Sequence, residues 1–261
     1  MLRYFKSIPI VRQIARWCIS VFLEGSIVPI HAGHAEGMLW RRRRRYINSY
    51  WTGDFEPAFQ TALAAELKPG MTFFDLGANA GFYSLMARKL VGQEGKCVSV
   101  DPDPGNCSHM MDLKEINKID NWVILQEAIA GEIGTAIFQT RDEGDPGGHL
   151  ITLRKFTGEN PQGQNHREVK STTPDALIDR HGKPHVVKID IEGAEWEAIS
   201  QGSSRLLGEA RPVILLEIHG NERAYLIREV FERHGYELLT LQGRPTTFES
   251  NDIFHVVARP K

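Results

Sequence analysis

Apolar residues recur along this chain with two periods, and the two alternate. Short apolar runs fall at 72–75, 96–100, 122–126, 185–189, 213–218, 236–241 and 253–258. They are too brief for helices and are punctuated by Gly, Pro, Asp or Asn, so they read as strands, the apolar ones buried. Between them, the segments 80–91, 104–117, 174–181, 194–200 and 221–234 carry apolar residues at helical spacing, as Phe82, Leu85, Met86 and Leu90 do. Thr172-Thr173-Pro174-Asp175 is a cap-then-proline helix start, and Gly235 stops the last helix. Strands alternating with helices and closed by two final strands predict an α/β fold, a doubly wound sheet.

Two regions break the alternation. Short strands are expected at 135–139, 149–153 and 167–171, with surface loops at 140–148 and 157–166. They make a β-rich insertion of about 131–171. Residues 1–50 form an N-terminal extension. A helix is expected at 8–23, with Ile10, Ile14, Trp17 and Val21 on one face, then a short hairpin at 26–40 turning at Gly33 to Gly37. The unbroken run Arg41 to Arg45 reads as a solvated charged face, or as an attractor for an anionic acceptor or lipid headgroup. The segment Tyr50 to Pro57, rich in aromatic and acidic residues, either packs on the domain or folds over its ligand. A helix follows at 58–67.

Composition narrows the function. The 261 residues are 41% hydrophobic and 25% charged, enough for one domain, 51–261, with an appendage. A net charge of −2 argues against broad nucleic-acid affinity. Cys18, Cys97 and Cys107 show no metal spacing and suit a reduced, cytoplasmic chain. No apolar stretch is long enough for a spanning helix, and the basic, apolar N-terminus lacks a good cleavage site. The extension is a candidate surface for acceptor recognition or homo-oligomer contact.

The chemistry gathers at predicted strand ends. Asp75-Leu76-Gly77-Ala78-Asn79-Ala80-Gly81 joins the first core strand to a helix, an arrangement that lets backbone approach a ligand at a helix N-terminus. Its spacing is not the Gly-x-Gly-x-x-Gly of dinucleotide sites, and a carboxylate at this turn suits a ligand with an ammonium group. Asp101 ends the second strand, where an acid accepts hydrogen bonds from ribose hydroxyls. Glu127 ends the third strand, Asp190 the fourth, and His219 follows the fifth.

The blocks 74–84, 100–102, 187–195 and 215–219 together resemble the FkbM family of S-adenosylmethionine-dependent methyltransferases, over roughly residue 51 to the C-terminus. The resemblance implies a Rossmann-like, mostly parallel seven-stranded sheet with an antiparallel last strand. It implies S-adenosylmethionine as cofactor, held by Asp75, Gly77, Ala78, Asn79, Gly81, Tyr83, Ser84, Asp101, Glu127 and Ala128, with adenine near Glu127 and Ala128. The acceptor would be a hydroxyl on a sugar, lipid or secondary metabolite, with Asp190 or His219 taking or relaying its proton. The rivals are a cofactor-binding scaffold without catalysis, a nicotinamide-dependent oxidoreductase, and a metal-dependent methyltransferase using Asp190, Glu192, Glu217 and His219. No metal site is assigned, because that spacing matches no metal motif.

Overall fold

The computed structural model describes residues 24–140, 149–151, 165–219, 224–246 and 254–261. The helix expected at 8–23, and the two insertion loops apart from their ends, lie outside these residues. The extension contributes a hairpin of β1 (Ile27–Pro29) and β2 (Leu39–Arg41) and a single helical turn, α1 (Ser49–Thr52). Then follow α2 (Pro57–Glu66), β3 (Thr72–Leu76), α3 (Phe82–Val91), β4 (Lys96–Val100), α4 (Pro104–Ile116) and β5 (Trp122–Leu125). The insertion comprises β6 (Ala128–Ile129), β7 (Gly134–Thr140), β8 (His149–Ile151) and β9 (Asn165–Thr172). The chain continues through α5 (Pro174–His181), β10 (Val186–Ile189), α6 (Glu195–Gly202), a π-helical turn at Leu206–Ala210 and β11 (Val213–Ile218). It finishes with α7 (Ala224–Arg233), β12 (Tyr236–Leu239) and β13 (Phe254–Pro260).

The main sheet has seven strands in the order β12-β13-β11-β10-β3-β4-β5. All pair in parallel except β13, which runs antiparallel to both β11 and β12. Strand order reverses between β3 and β10, so a crevice opens beyond their C-terminal ends. The insertion forms a separate four-stranded sheet, β6-β9-β7-β8, rooted by the parallel pairing of β6 with β9.

Period-two alternation sends the strands into two cores. Phe73, Cys97 and Leu215 pack with α3, α4 and the extension; Phe74, Val98, Ile214 and Leu216 pack with α5, α6 and α7. One buried polar thread crosses the first of these faces. Trp122 Nε1 donates to Ser99 Oγ at 2.7 Å, Ser99 meets Ser84 at 2.6 Å, and Ser84 donates to Asp75 Oδ2 at 2.5 Å. Asp75 Oδ1 then lies 3.5 Å from Lys188 Nζ.

The arginine run neither forms one solvated face nor lines one site. Arg41 pairs with Asp112 on α4, Arg45 Nη2 donates to Asp103 at 3.0 Å, and Arg42 lies over the Trp51 ring at 4.3 Å. Together with Trp40, which is 1% exposed and rests against Tyr46, Tyr50, Phe82 and His109, these contacts fasten the extension to α4. Burying that indole alone contributes roughly 3 kcal/mol or more.

Candidate active site

Two spaces open at the switch point. The first, a crevice, is lined by Gly77, Val100, Asp101, Asn106, Ala128 and Phe138 among others. The second, a hollow, has an aromatic wall of Tyr50, Phe55, Phe82 and Tyr83 facing Glu56, Lys188 and Glu217. Both spaces are lined by Asn79, Asp190 and Glu192, so they meet there.

The turn after β3 is built by close backbone contacts. Gly77 has φ +78°, and a Cβ on it would lie 1.7 Å from the Asp190 carbonyl oxygen. Only glycine lets β3 and β10 approach this closely. Gly81 serves packing, since a Cβ there would meet Met110 at 2.5 Å. Asn79 holds φ +48°, a conformation rare outside glycine but tolerated by Asn, and its N–H donates to Asp101 Oδ2 at 2.7 Å. Asp101 Oδ1 accepts from the Asp103 N–H at 2.9 Å and from Asn106 Nδ2 at 3.0 Å. Burial pushes its pKa up to about 7 despite these donors.

Not all of the residues expected around a cofactor line the crevice. Asp75 does not close its strand but lies inside β3, wholly buried beneath the pocket, bonded to Ser84 and paired with Lys188. Ser84 is equally buried in the polar thread. Glu127 turns away from the crevice and grips Arg180 with two bonds of 2.8 and 2.7 Å, which hold its carboxyl below the usual range. Ala128 does line the crevice, whereas Ala78 and Tyr83 line the hollow. Tyr83 Oη donates to Glu56 at 2.6 Å.

Lys188 binds the halves of the site together. Its Nζ donates to the Gly77 carbonyl at 2.7 Å and lies 3.2 Å from Asp190 Oδ2. Burial disfavours its charge, but Asp190 and Asp75 outweigh that and raise its pKa. Burial also raises Asp190. His219 points from the end of β11 into a ring of carboxylates. Its Nδ1 is 3.0 Å from Glu195 Oε1, and its Nε2 lies 3.4 Å from Glu192, 3.4 Å from Glu217 and 3.9 Å from Asp190. Burial alone would lower the histidine's pKa, but the carboxylates of Glu195 and Glu217 beside the ring lift it to about 11.

The Methyltransferase FkbM domain pattern matches residues 75–238, from within β3 into β12. The chain belongs to the FkbM methyltransferase family. Membership implies S-adenosylmethionine as cofactor. A solved FkbM methyltransferase from Methylobacillus flagellatus KT aligns over 95% of this chain and 59% of its own, with 15% identity and a TM-score of 0.47. Precorrin-6y C5,15-methyltransferase from Geobacter metallireducens aligns over 85% and 94%, with 17% identity and a TM-score of 0.49. The protein PH0793 of Pyrococcus horikoshii shares the fold over 94% of this chain and 80% of its own, at 13% identity and a TM-score of 0.50. No curated protein sequence matches this FkbM chain.

Some residues of this FkbM site were not singled out in the sequence. Asn106 sits three positions into α4, behind the Asp103 cap and Pro104, a start signal that was readable. Phe138 comes from the insertion, and nothing in its local sequence points to the crevice. Glu56 follows from the aromatic segment 50–57, whose Tyr50 and Phe55 line the hollow while Trp51 packs under Arg42.

Proposed function

We propose that this FkbM protein transfers the methyl group of S-adenosylmethionine to a hydroxyl of a sugar, lipid or secondary-metabolite acceptor, in the cytoplasm. The observation that carries the reading is the meeting of crevice and hollow at Asn79, Asp190 and Glu192. The crevice fits an adenosine. Phe138, Ile129 and Ala128 offer apolar faces to a flat base, and Asp101 stands in the wall ready to accept from a ribose diol. Asp190 closes that side of the crevice, where it meets the hollow. The bound cofactor supplies an electrophilic methyl on a sulfonium.

The hollow fits an acceptor with apolar faces and hydroxyl edges, since aromatic rings line one side and carboxylates the other. A neutral hydroxyl is a poor nucleophile, and a positioned proton acceptor helps as the new bond forms. Asp190 stands where both spaces meet and is the group placed to take or relay that proton. His219 stands behind it, tied to Glu195. Among the described residues no helix is long and apolar enough to cross a membrane, and Cys97 and Cys107 are buried free thiols, compatible with a reducing compartment. The described part of the extension is engaged with its own α4.

The test is incubation with methyl-labelled cofactor and a cell extract, with products read by mass spectrometry. Label on an oxygen of a hydroxylated product, lost with Asp190→Asn while cofactor binding persists, is expected. Label on nitrogen or carbon, or tight cofactor binding with no product, would displace this reading, the latter in favour of a non-catalytic binding protein.

A further inference from the structure

The His219 ring is held from behind by one buried oxygen. Glu195 Oε1 faces His219 Nδ1 at 3.0 Å and also accepts from the N–H groups of Gly193 at 3.1 Å and Ile191 at 3.3 Å. Glu195 is 1% exposed, so this brace is fixed, and it turns Nε2 toward Glu192, Glu217 and Asp190, which line the hollow. Around Nε2 stand Glu192 Oε2 at 3.4 Å, Glu217 Oε1 at 3.4 Å and Asp190 Oδ1 at 3.9 Å.

These separations are long for charge-assisted hydrogen bonds, which close to about 2.7–2.9 Å. Glu192, at 3.4 Å, stands at the upper end of the spacing between adjacent donors on one ion, and Asp190, at 3.9 Å, falls between the adjacent and opposite spacings. With metal–ligand distances of about 2.0–2.4 Å, adjacent donors of an octahedron stand about 2.8–3.4 Å apart. His255 provides the contrast within the same site. Its Nε2 meets Glu217 Oε2 at 3.0 Å, the spacing of a direct hydrogen bond, although Glu56, Glu217 and His255 also bring three donor atoms within 4.8 Å of one another.

We propose that Asp190, Glu192 and His219 form a binding site for a divalent transition cation, open toward the acceptor hollow. Their donor atoms all lie within 4.8 Å of one another. One imidazole with two carboxylates suits Mn²⁺, Fe²⁺ or Zn²⁺ better than Ca²⁺ or Mg²⁺, which favour all-oxygen sets. Lys188 occupies Asp190 Oδ2 and leaves Oδ1 facing the histidine. Glu195 supplies the carboxylate that commonly orients a ligating histidine. Binding of the ion displaces the proton from Nε2. The ion's use, which would be to orient an acceptor oxygen, rests on the methyl-transfer reading. The binding site itself does not depend on that reading.

The full chain, stripped by chelator and dialysed, is titrated with Mn²⁺ alone, free ion being read by electron paramagnetic resonance, with Zn²⁺ as competitor. One ion per chain is expected. Glu192→Gln and His219→Gln should each weaken binding at least roughly tenfold, with His255→Gln close to wild type. S-adenosylmethionine binding on the same samples, by calorimetry, keeps the two readings apart. Cofactor binding without saturable Mn²⁺ or Zn²⁺ binding at millimolar concentration would overturn the metal site alone. So would metal binding that Glu192→Gln and His219→Gln leave unchanged. If His219→Gln fails to fold, Glu192→Gln, at a part-exposed position, decides by itself.

Discussion

Nucleoside binding in the crevice should depend on pH through Asp101. Burial holds its carboxyl near a pKa of about 7, so the free protein is about half ionised at neutral pH. A ribose diol donates to the ionised form, and its binding therefore requires loss of the proton. The apparent Kd scales as one plus the ratio of protonated to ionised carboxyl. That factor is about 1.1 at pH 8, about 2 at pH 7 and about 11 at pH 6, so affinity falls roughly tenfold from pH 8 to pH 6. The sign follows from the direction of the shift: a raised acid keeps its proton as pH falls, and the proton opposes the diol. The probe should be 5′-methylthioadenosine, which carries the diol but not the titratable amino-acid end, measured by calorimetry at constant ionic strength. Asp101→Asn cannot ionise, so its affinity should be weaker and its profile flat. A flat wild-type profile, or an unchanged slope in Asp101→Asn, would refute the assignment of Asp101 to the ribose.

Gly77→Ala should unfold or markedly destabilise the protein. Its methyl would lie 1.7 Å from the Asp190 carbonyl oxygen at φ +78°, so a melting-curve loss equivalent to at least about 2 kcal/mol is expected. Lys188→Met removes the cation between Asp75 and Asp190 and should cost roughly 3–5 kcal/mol in denaturant unfolding, because a buried carboxylate is left unpaired. Adding Asp75→Asn should recover much of that loss. A double variant no more stable than Lys188→Met would show that Asp75 is not the partner that matters.

The succession of strands and helices in the main domain was legible because each announces itself locally, whereas the antiparallel last strand was expected only from the family resemblance. Val186–Ile189 and Val213–Ile218 are apolar runs, and Thr173 with Pro174 marks the start of α5. The acids at strand ends were legible as a group, since parallel topology brings those ends together. Their individual orientations were not. Asp75 shares the period-two face of Phe73, under α3, and so pairs with Lys188 instead of facing the crevice. Glu127 lies beside Arg180, whose position depends on the entry of α5, a tertiary matter. The two-residue strand β6 and the π-helical turn are too short to leave a periodic signal. Asp190, Glu192, Glu217 and His219 were readable as the donors of a metal-dependent rival, but no site followed, because residues from two separate strand ends match no local metal motif.

Phe138 carries a consequence in time. The crevice wall proposed to face an adenosine belongs partly to the small sheet, whose β6 pairs with β9 at just two positions, Ala128 with Ser171 and Ile129 with Thr172. The remaining walls stand on β3, β4 and β10 of the main sheet. A ligand enclosed between the two sheets leaves more readily when they separate than by sliding out past fixed strands. With the cofactor in the crevice as proposed, its release is expected to track the lifting of the small sheet, which stopped-flow release rates of variants in β7 and β9 would check. Sequence changes in the insertion that touch no ligand would alter the clock of the enzyme while leaving its chemistry alone.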